Sequence, residues 1–376
     1  MNPVPLDGKK MLVIAYGHLA DTMAAIPALR SLRARYPSAV IHVLALESAK
    51  PVLGPCPYVD RVITWRDFGH KSGTFSKLEK LGTVTSMAAR LRPSRYDATI
   101  VLHRSSGAMR KLSWLIGSEV RAGSSPGGGD YTHLAFPTTE VESSRDENRR
   151  VLHALGVEDD GGPLELWTST EDARWAAGFL GTHAGPKVGL HPGSDWSCQQ
   201  WLPDRFAAVG AALQAELDAR IVITGSAAET ELETEVARGL NDPLRACGLT
   251  SFGQFVEVIR RLDVLVCVNS AAAAVARAVG TPAVVLLGYE DARHTGLATT
   301  ARQILIQPEV GRRAGGWCEF GRWGVLSGCD SPMCRGLGGL GALAPGTVTE
   351  AAVRLLQQPA RATSSQPTSK VVHVGQ

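Results

Sequence analysis

Uninterrupted apolar runs alternate with amphipathic stretches along most of this chain. Lys10–Ala15 (KMLVIA) is apolar without a break after its first residue, as a strand buried on both faces should be. Val40–Ala45, Arg61–Thr64 and Tyr96–Leu102 read as three more strands. Between them the period changes. Asp21–Tyr36 reads as a helix with Met23, Ile26, Leu29 and Leu32 on one face, stopped by Pro37-Ser38. Lys77–Leu91, Arg104–Ile116 and Glu142–Leu155 read as further helices, the last ending at Gly156. Residues 67–74 and the glycine-rich 121–131 read as loops.

The rhythm breaks over 157–170 (VEDDGGPLELWTST), an acidic, glycine-bearing stretch that reads as a linker. It then resumes. The expected strands are Val188–His191, Arg220–Thr224, Val264–Val268 and Ala283–Leu287. The expected helices are Glu171–Gly181, Asp204–Leu217, Ala228–Leu240, Ser251–Leu262, Ser270–Val279 and Val348–Gln357. Strands alternating with helices predict an α/β protein with parallel sheets, and two such sets predict two doubly wound domains. The expected division is 1–165, 166–358 and a polar tail, 359–376, with too few large apolar residues to order itself.

Composition narrows the class. A chain of 376 residues exceeds one typical core, and 44% hydrophobic with 20% charged residues is ordinary for a globular protein. The net charge of +3 and the lack of a basic stripe interleaved with aromatics argue against nucleic acid. Basic clusters at 30–36 and 89–96 read mainly as solvated helix faces, with attraction to an anionic acceptor or a membrane surface as the lesser reading. No apolar run reaches spanning length and the first ten residues lack a secretory signal. The expected location is the cytoplasm, with room for peripheral attachment to the inner membrane. Seven scattered cysteines suit reduced thiols. Cys318, Cys329 and Cys334 lack the paired spacing of a structural zinc site, so no metal is expected.

Three junctions carry candidate chemistry. The first is Val188–Phe206, in which a strand ends at His191, Pro192-Gly193-Ser194 turns, and a helix begins at Asp204. Such a junction can present backbone N–H groups to a phosphorylated ligand, although Gly-Ser turns also join strands to helices with no ligand. The second is TGSAAETE (224–231), where Glu229 suits either the positive helix end or a ribose diol. The third is VNSAAAAVARAVGTP (268–282). There Asn269, Ser270 and Ala271 open a helix whose small residues allow either a diphosphate or close helix packing. In the first half, Asp21 follows a strand and a loop; it reads as a helix cap or as a general base.

In this order the pieces resemble glycosyltransferase family 9, the nucleotide-sugar:lipopolysaccharide heptosyltransferases, over about residues 10–355. MLVIAYGHLADTMAAIPALRSLRARYP is similar to the family's opening strand, Gly-Asp loop and Pro-Ala-Leu helix, and LRPSRYDATIVLH to its Tyr-Asp strand. HPGS, QWLPDRF, TGSAAE and GLTSFGQFVEVIRRLDVLVCVNS with AVGTPAVVLLG are similar to its donor domain. The resemblance implies a GT-B fold, with two Rossmann-like domains facing across a cleft, acceptor on the N-terminal side and nucleotide sugar on the C-terminal side. It implies inverting, metal-independent transfer without a cofactor. Asp21 would be the catalytic base and His18 would lie on the acceptor side. Gly193, Ser194, Gln199, Glu229, Asn269, Ser270 and Ala271 would contact the donor, an ADP- or GDP-linked heptose. Gln199 stands where the family carries a phosphate-binding lysine, and Leu202 separates Trp201 from Pro203. Asn269, Ala271 and Ala274 replace the aspartate, glycine and histidine of an Asp-Thr/Ser-Gly-x-x-His motif.

These departures, with the Ala-, Gly- and Arg-rich composition of a GC-rich genome, favour a small natural-product acceptor. The alternatives are a lipopolysaccharide-core acceptor, a non-catalytic nucleotide-sugar-binding protein, or a sugar-nucleotide epimerase.

Overall fold

The computed structural model describes residues 3–65, 77–104, 107–125, 131–135, 142–194, 199–288, 292–297, 299–308, 340–358 and 372–374. The chain divides into two compact units, one up to Trp167 and one from Thr168.

The first unit runs β1 (Lys10–Ala15), α1 (Leu19–Arg35), β2 (Val40–Leu46), α2 (Lys50–Leu53), β3 (Arg61–Trp65), α3 (Lys77–Leu91), β4 (Ala98–Arg104), α4 (Gly107–Ile116), β5 (Val120–Ser124), β6 (His133–Ala135) and α5 (Ser144–Ala154). Its sheet has the order β3-β2-β1-β4-β5-β6 with parallel neighbours. The apolar run of β1 has the predicted reason. Met11, Val13 and Ala15 enter one core with Leu29, Leu32, Val151 and Leu152 of α1 and α5. Leu12 and Ile14 enter another with Val84, Met87, Met109 and Leu112 of α3 and α4. A strand covered on both faces has no polar side to alternate with.

The second unit runs α6 (Thr170–Leu180), β7 (Lys187–His191), α7 (Pro203–Leu217), β8 (Arg220–Ile223), α8 (Thr230–Ala237), β9 (Leu244–Arg245), α9 (Phe252–Arg260), β10 (Val264–Val268), α10 (Ala271–Val279), β11 (Ala283–Leu286), α11 (Ala292–Thr295), β12 (Gln303–Pro308), α12 (Pro345–Leu356) and β13 (Val372–Val374). Its sheet order is β13-β12-β11-β10-β7-β8-β9, again parallel. In both sheets the strand order reverses beside the first strand of the unit, at β1/β4 and at β7/β10. Such switch points open a crevice at the carboxyl ends of the strands.

Lys10–Ala15 and Lys77–Leu91 coincide with their predicted spans. Several short strands were not predicted. Val120–Ser124 begins the stretch read as a glycine-rich loop, and Gln303–Pro308 closes on a proline. Val372–Val374, inside the tail expected to stay disordered, pairs in parallel with β12 at the edge of the sheet. The loop at 67–74 and the Cys318–Cys334 segment lie outside the described residues.

The stretch read as a linker is irregular up to Ser169; its part up to Glu165 is bound to the first unit, while Thr168 donates to Glu257 of the second at 2.6 Å. The Arg30 guanidinium bonds Asp160, the Pro163 carbonyl at 2.9 Å and Glu165 at 2.7 Å. Tyr58 donates to Glu165 at 2.8 Å. The Arg30 partnership holds the Asp160 carboxyl below its ordinary range.

One buried polar pair gives a pH dependence. His42 on β2 is 8% exposed and its Nδ1 lies 2.9 Å from the Tyr96 hydroxyl. Burial, helped by Lys10 and Arg61, lowers its pKa. Burial lowers the pKa of His191 as well. An unfolded histidine titrates near about 6.5. Below that pH the unfolded chain takes up protons that the folded chain refuses, so stability falls with falling pH, by at most about 1.4 kcal/mol per pH unit for each histidine. The melting temperature should therefore drop between pH 7 and 5.5, before carboxylates such as Asp60, Asp160 and Glu257, whose pKa values are lowered, begin to protonate. His42→Gln should show a shallower drop across that interval. An unchanged slope would refute the assignment.

Candidate functional site

The first site sits at the carboxyl end of β1. Tyr16-Gly17-His18 leaves the strand and α1 starts at Leu19, two residues before the predicted start. Asp21 therefore occupies the third helical position. Its Oδ2 accepts the His18 backbone N–H at 3.1 Å and its Oδ1 accepts the Ser144 hydroxyl at 2.9 Å. Gly17 makes this approach possible, since a Cβ there would lie 2.7 Å from the Asp21 Cβ and 3.0 Å from Oδ2. Ser144 opens α5, whose Asn148 amide donates to the Ala24 carbonyl at 3.2 Å and fixes the two helices at their amino ends. Both helix ends thus direct positive partial charge toward one carboxylate. The capping role and the base role fall on the same group. Each carboxylate oxygen keeps a second lone pair for an incoming hydroxyl. His18 shares the loop, and its backbone N–H donates to Asp21. Ser144 was not found from sequence, because it lies far along the chain in a polar helix start.

The second site gathers three loops around the β7/β10 switch point. Thr224, just past β8, has its Oγ1 2.9 Å from His191 Nδ1. His191 is half-buried at the end of β7, with its ring 5.7 Å from that of Phe255. The nearby Glu229 carboxylate works against the lowering of its pKa by burial. Gly193 and Glu229, picked out separately, are in contact. A Cβ on Gly193 would lie 1.7 Å from Glu229 Oε1, so a larger residue there would displace the carboxylate or the loop. Glu229 Oε2 accepts the Ser226 N–H at 2.6 Å and also faces Gly225, where a Cβ would come within 3.0 Å. The carboxylate is held between two glycines. Ser194 donates to the Gln199 carbonyl oxygen at 3.1 Å, and the Gln200 amide donates to the Ser194 carbonyl at 3.1 Å. Gln199 thus closes its loop onto Ser194.

The third loop follows β10. The Asn269 N–H bonds the Leu286 carbonyl at 3.1 Å and carries the sheet one residue further. Ser270 caps α10 in position, with extended backbone, yet its side chain makes no cap bond. Its Oγ is buried and has no hydrogen-bond partner among the described residues. A buried hydroxyl without a partner is uncommon and costly, and marks a place where a ligand oxygen can complete the bonding. Ala271 starts the helix and the buried Ala272, Ala273 and Ala276 pack it closely. His191, Gln200 and Thr224 were missed from sequence. The His-Pro-Gly order was visible, but nothing local tied His191 to Thr224. Among the described residues no group of three His, Cys, Asp or Glu side chains could hold a metal ion, and no helix is long and apolar enough to cross a membrane. Cys318, Cys329 and Cys334 lie outside the described residues.

Solved structures share this architecture. A glycosyltransferase family 9 protein from Veillonella parvula superposes with a TM-score of 0.74 at 21% identity, covering 95% of this chain and 99% of that one. The ADP-heptose lps heptosyltransferase II of Escherichia coli gives 0.68 at 22% identity, covering 92% and 98%. The fold is GT-B, and the protein is of the glycosyltransferase class. The family model for glycosyltransferase family 9 (heptosyltransferase) matches residues 84–313, and the chain belongs to that family. It is also similar to lipopolysaccharide heptosyltransferase 2 of Escherichia coli K12, with 27% identity over 300 residues, 74% of this chain and 82% of the relative.

Proposed function

We propose that the chain transfers a heptose from an ADP-linked donor to a hydroxyl of a lipopolysaccharide-type core acceptor, with inversion and without a metal. The observation that carries the donor assignment is the Glu229 carboxylate, seated against Gly193 and Gly225 beside the switch point. An acceptor-only group fixed at that depth suits the two hydroxyls of a ribose. The diphosphate would then extend toward the amino end of α10, where Ser270 Oγ and the first N–H groups would take up its charge. Gly193, Ser194 and Gln199 would line its other side.

Asp21 would remove the proton from the acceptor hydroxyl as the oxygen forms its bond to the anomeric carbon. The bond from that carbon to the diphosphate breaks, and the nucleoside diphosphate leaves with the electron pair. With Gln199 in place of a lysine and Asn269 in place of an aspartate, neutral groups and backbone dipoles would carry the stabilisation of the leaving phosphates. The relatives' names favour a lipopolysaccharide-type acceptor over the small soluble acceptor preferred from sequence. A small-acceptor enzyme would glycosylate a water-soluble aglycone and ignore core oligosaccharide.

Calorimetry with ADP, GDP and UDP tests the donor half. ADP should bind tightest, and Glu229→Ala should weaken it by about 10- to 100-fold, the range for hydrogen bonds to a charged group. ADP binding that is absent, or equally tight in Glu229→Ala, would sink the reading.

A further inference from the structure

Glu233 lies one helical turn beyond Glu229 and is 3% exposed, a buried carboxylate for which the transfer reaction has no use. Its Oε1 accepts the Cys247 backbone N–H at 3.0 Å. Its Oε2 accepts Arg245 Nε at 3.2 Å, and the same guanidinium reaches Thr234 Oγ1 at 2.6 Å. One carboxylate thus clamps the segment after β9 onto α8. That segment in turn holds the loop after β8. The Ala246 N–H donates to the Ile223 carbonyl at 2.9 Å and the Gly248 N–H to the Gly225 carbonyl at 3.3 Å. The Cys247 thiol lies directly under Gly225, where a Cβ would meet Sγ at 2.7 Å. Burial and the Glu233 carboxylate push that thiol's pKa upward, so it sits there as a neutral wedge. The next N–H, on Ser226, holds Glu229 Oε2.

We propose that Glu233 is a positioning residue for Glu229: through Arg245, Cys247 and the 223–226 loop it sets where the Glu229 carboxylate stands, and so tunes recognition of the nucleotide's ribose diol. The inference rests on the donor reading given above. It differs from a plain stabilising role in one measurable respect. If Glu233 acts through Glu229, its removal matters only when Glu229 and the diol are both present. A residue that merely supports the fold would weaken every nucleotide alike.

The experiment is calorimetry of ADP and of 2′,3′-dideoxy-ADP on the unmodified chain, Glu233→Gln, Glu229→Ala and the double variant, with thermal melts to establish folding. Glu233→Gln should weaken ADP by roughly tenfold, leave dideoxy-ADP unchanged, and add nothing in the Glu229→Ala background. Equal losses for both nucleotides, full additivity in the double variant, or no loss at all would overturn the inference while leaving the donor site standing. Should Glu233→Gln fail to fold, Cys247→Ala keeps the backbone bond to Glu233 and removes only the wedge. It should show the same diol-dependent weakening, and its absence would likewise overturn the inference. No ADP binding by the unmodified chain would remove the donor reading and this inference with it.

Discussion

Asp21→Asn should lower kcat by about 10²- to 10⁴-fold, the usual contribution of a general base, while nucleotide affinity stays unchanged. The substitution is nearly isosteric, and its carbonyl oxygen can still accept the His18 N–H that now bonds Oδ2. The Ser144 hydroxyl now donates to Oδ1 and would meet an amide N–H₂ instead, so it must turn to accept. The structural cost is that of a weakened helix start, about 0.5–2 kcal/mol at most. The rate loss corresponds to about 3–5 kcal/mol of barrier. The two effects therefore separate in the same protein, with a melt reporting the first and a single-turnover rate with saturating acceptor reporting the second. A variant that melts a few degrees lower but turns over within severalfold of the unmodified chain would leave Asp21 as a capping residue only.

That test is needed because the sequence could not separate the two roles. A carboxylate near a helix start reads as a cap or as a base on local grounds, and the family resemblance tipped the reading toward the base. The bond from Ser144 depends on α5 packing against α1 and has no local signature. Long elements were legible for the opposite reason. Lys77–Leu91 repeats its apolar positions over four turns, and Lys10–Ala15 is apolar throughout after its first residue. Leu244–Arg245 is too short to show any period, and it forms because β8 offers it an edge. The donor-side residues show the same division. Gly193, Glu229 and Ser270 stood out at strand-to-helix turns, whereas Glu233 falls on the polar pattern of an ordinary solvated helix. Its burial follows from Cys247 and Arg245 folding over it, which is a tertiary event.

Gly193→Ala should abolish most nucleotide binding, and its coupling to Glu229 should identify the cause. The added methyl would stand 1.7 Å from Glu229 Oε1 and 2.2 Å from its Cδ, distances at which one of the two must leave. Gly193 is buried, so its loop has little room to yield. Either Glu229 swings away from the Ser226 N–H, or the loop after β7 shifts and takes Ser194 and Gln199 with it. ADP affinity should fall by at least the 10- to 100-fold expected for Glu229→Ala, and stability by about 1–3 kcal/mol, as for other overpacked sites. In a Glu229→Ala background the obstacle is gone. The same methyl should then cost little stability and no further affinity, so the two substitutions should be strongly non-additive. Additive losses would mean that Gly193 is needed for its own backbone approach to the diphosphate. Normal ADP binding by Gly193→Ala would mean that Gly193 and Glu229 do not meet in solution, and the ribose assignment would lose the contact on which it rests.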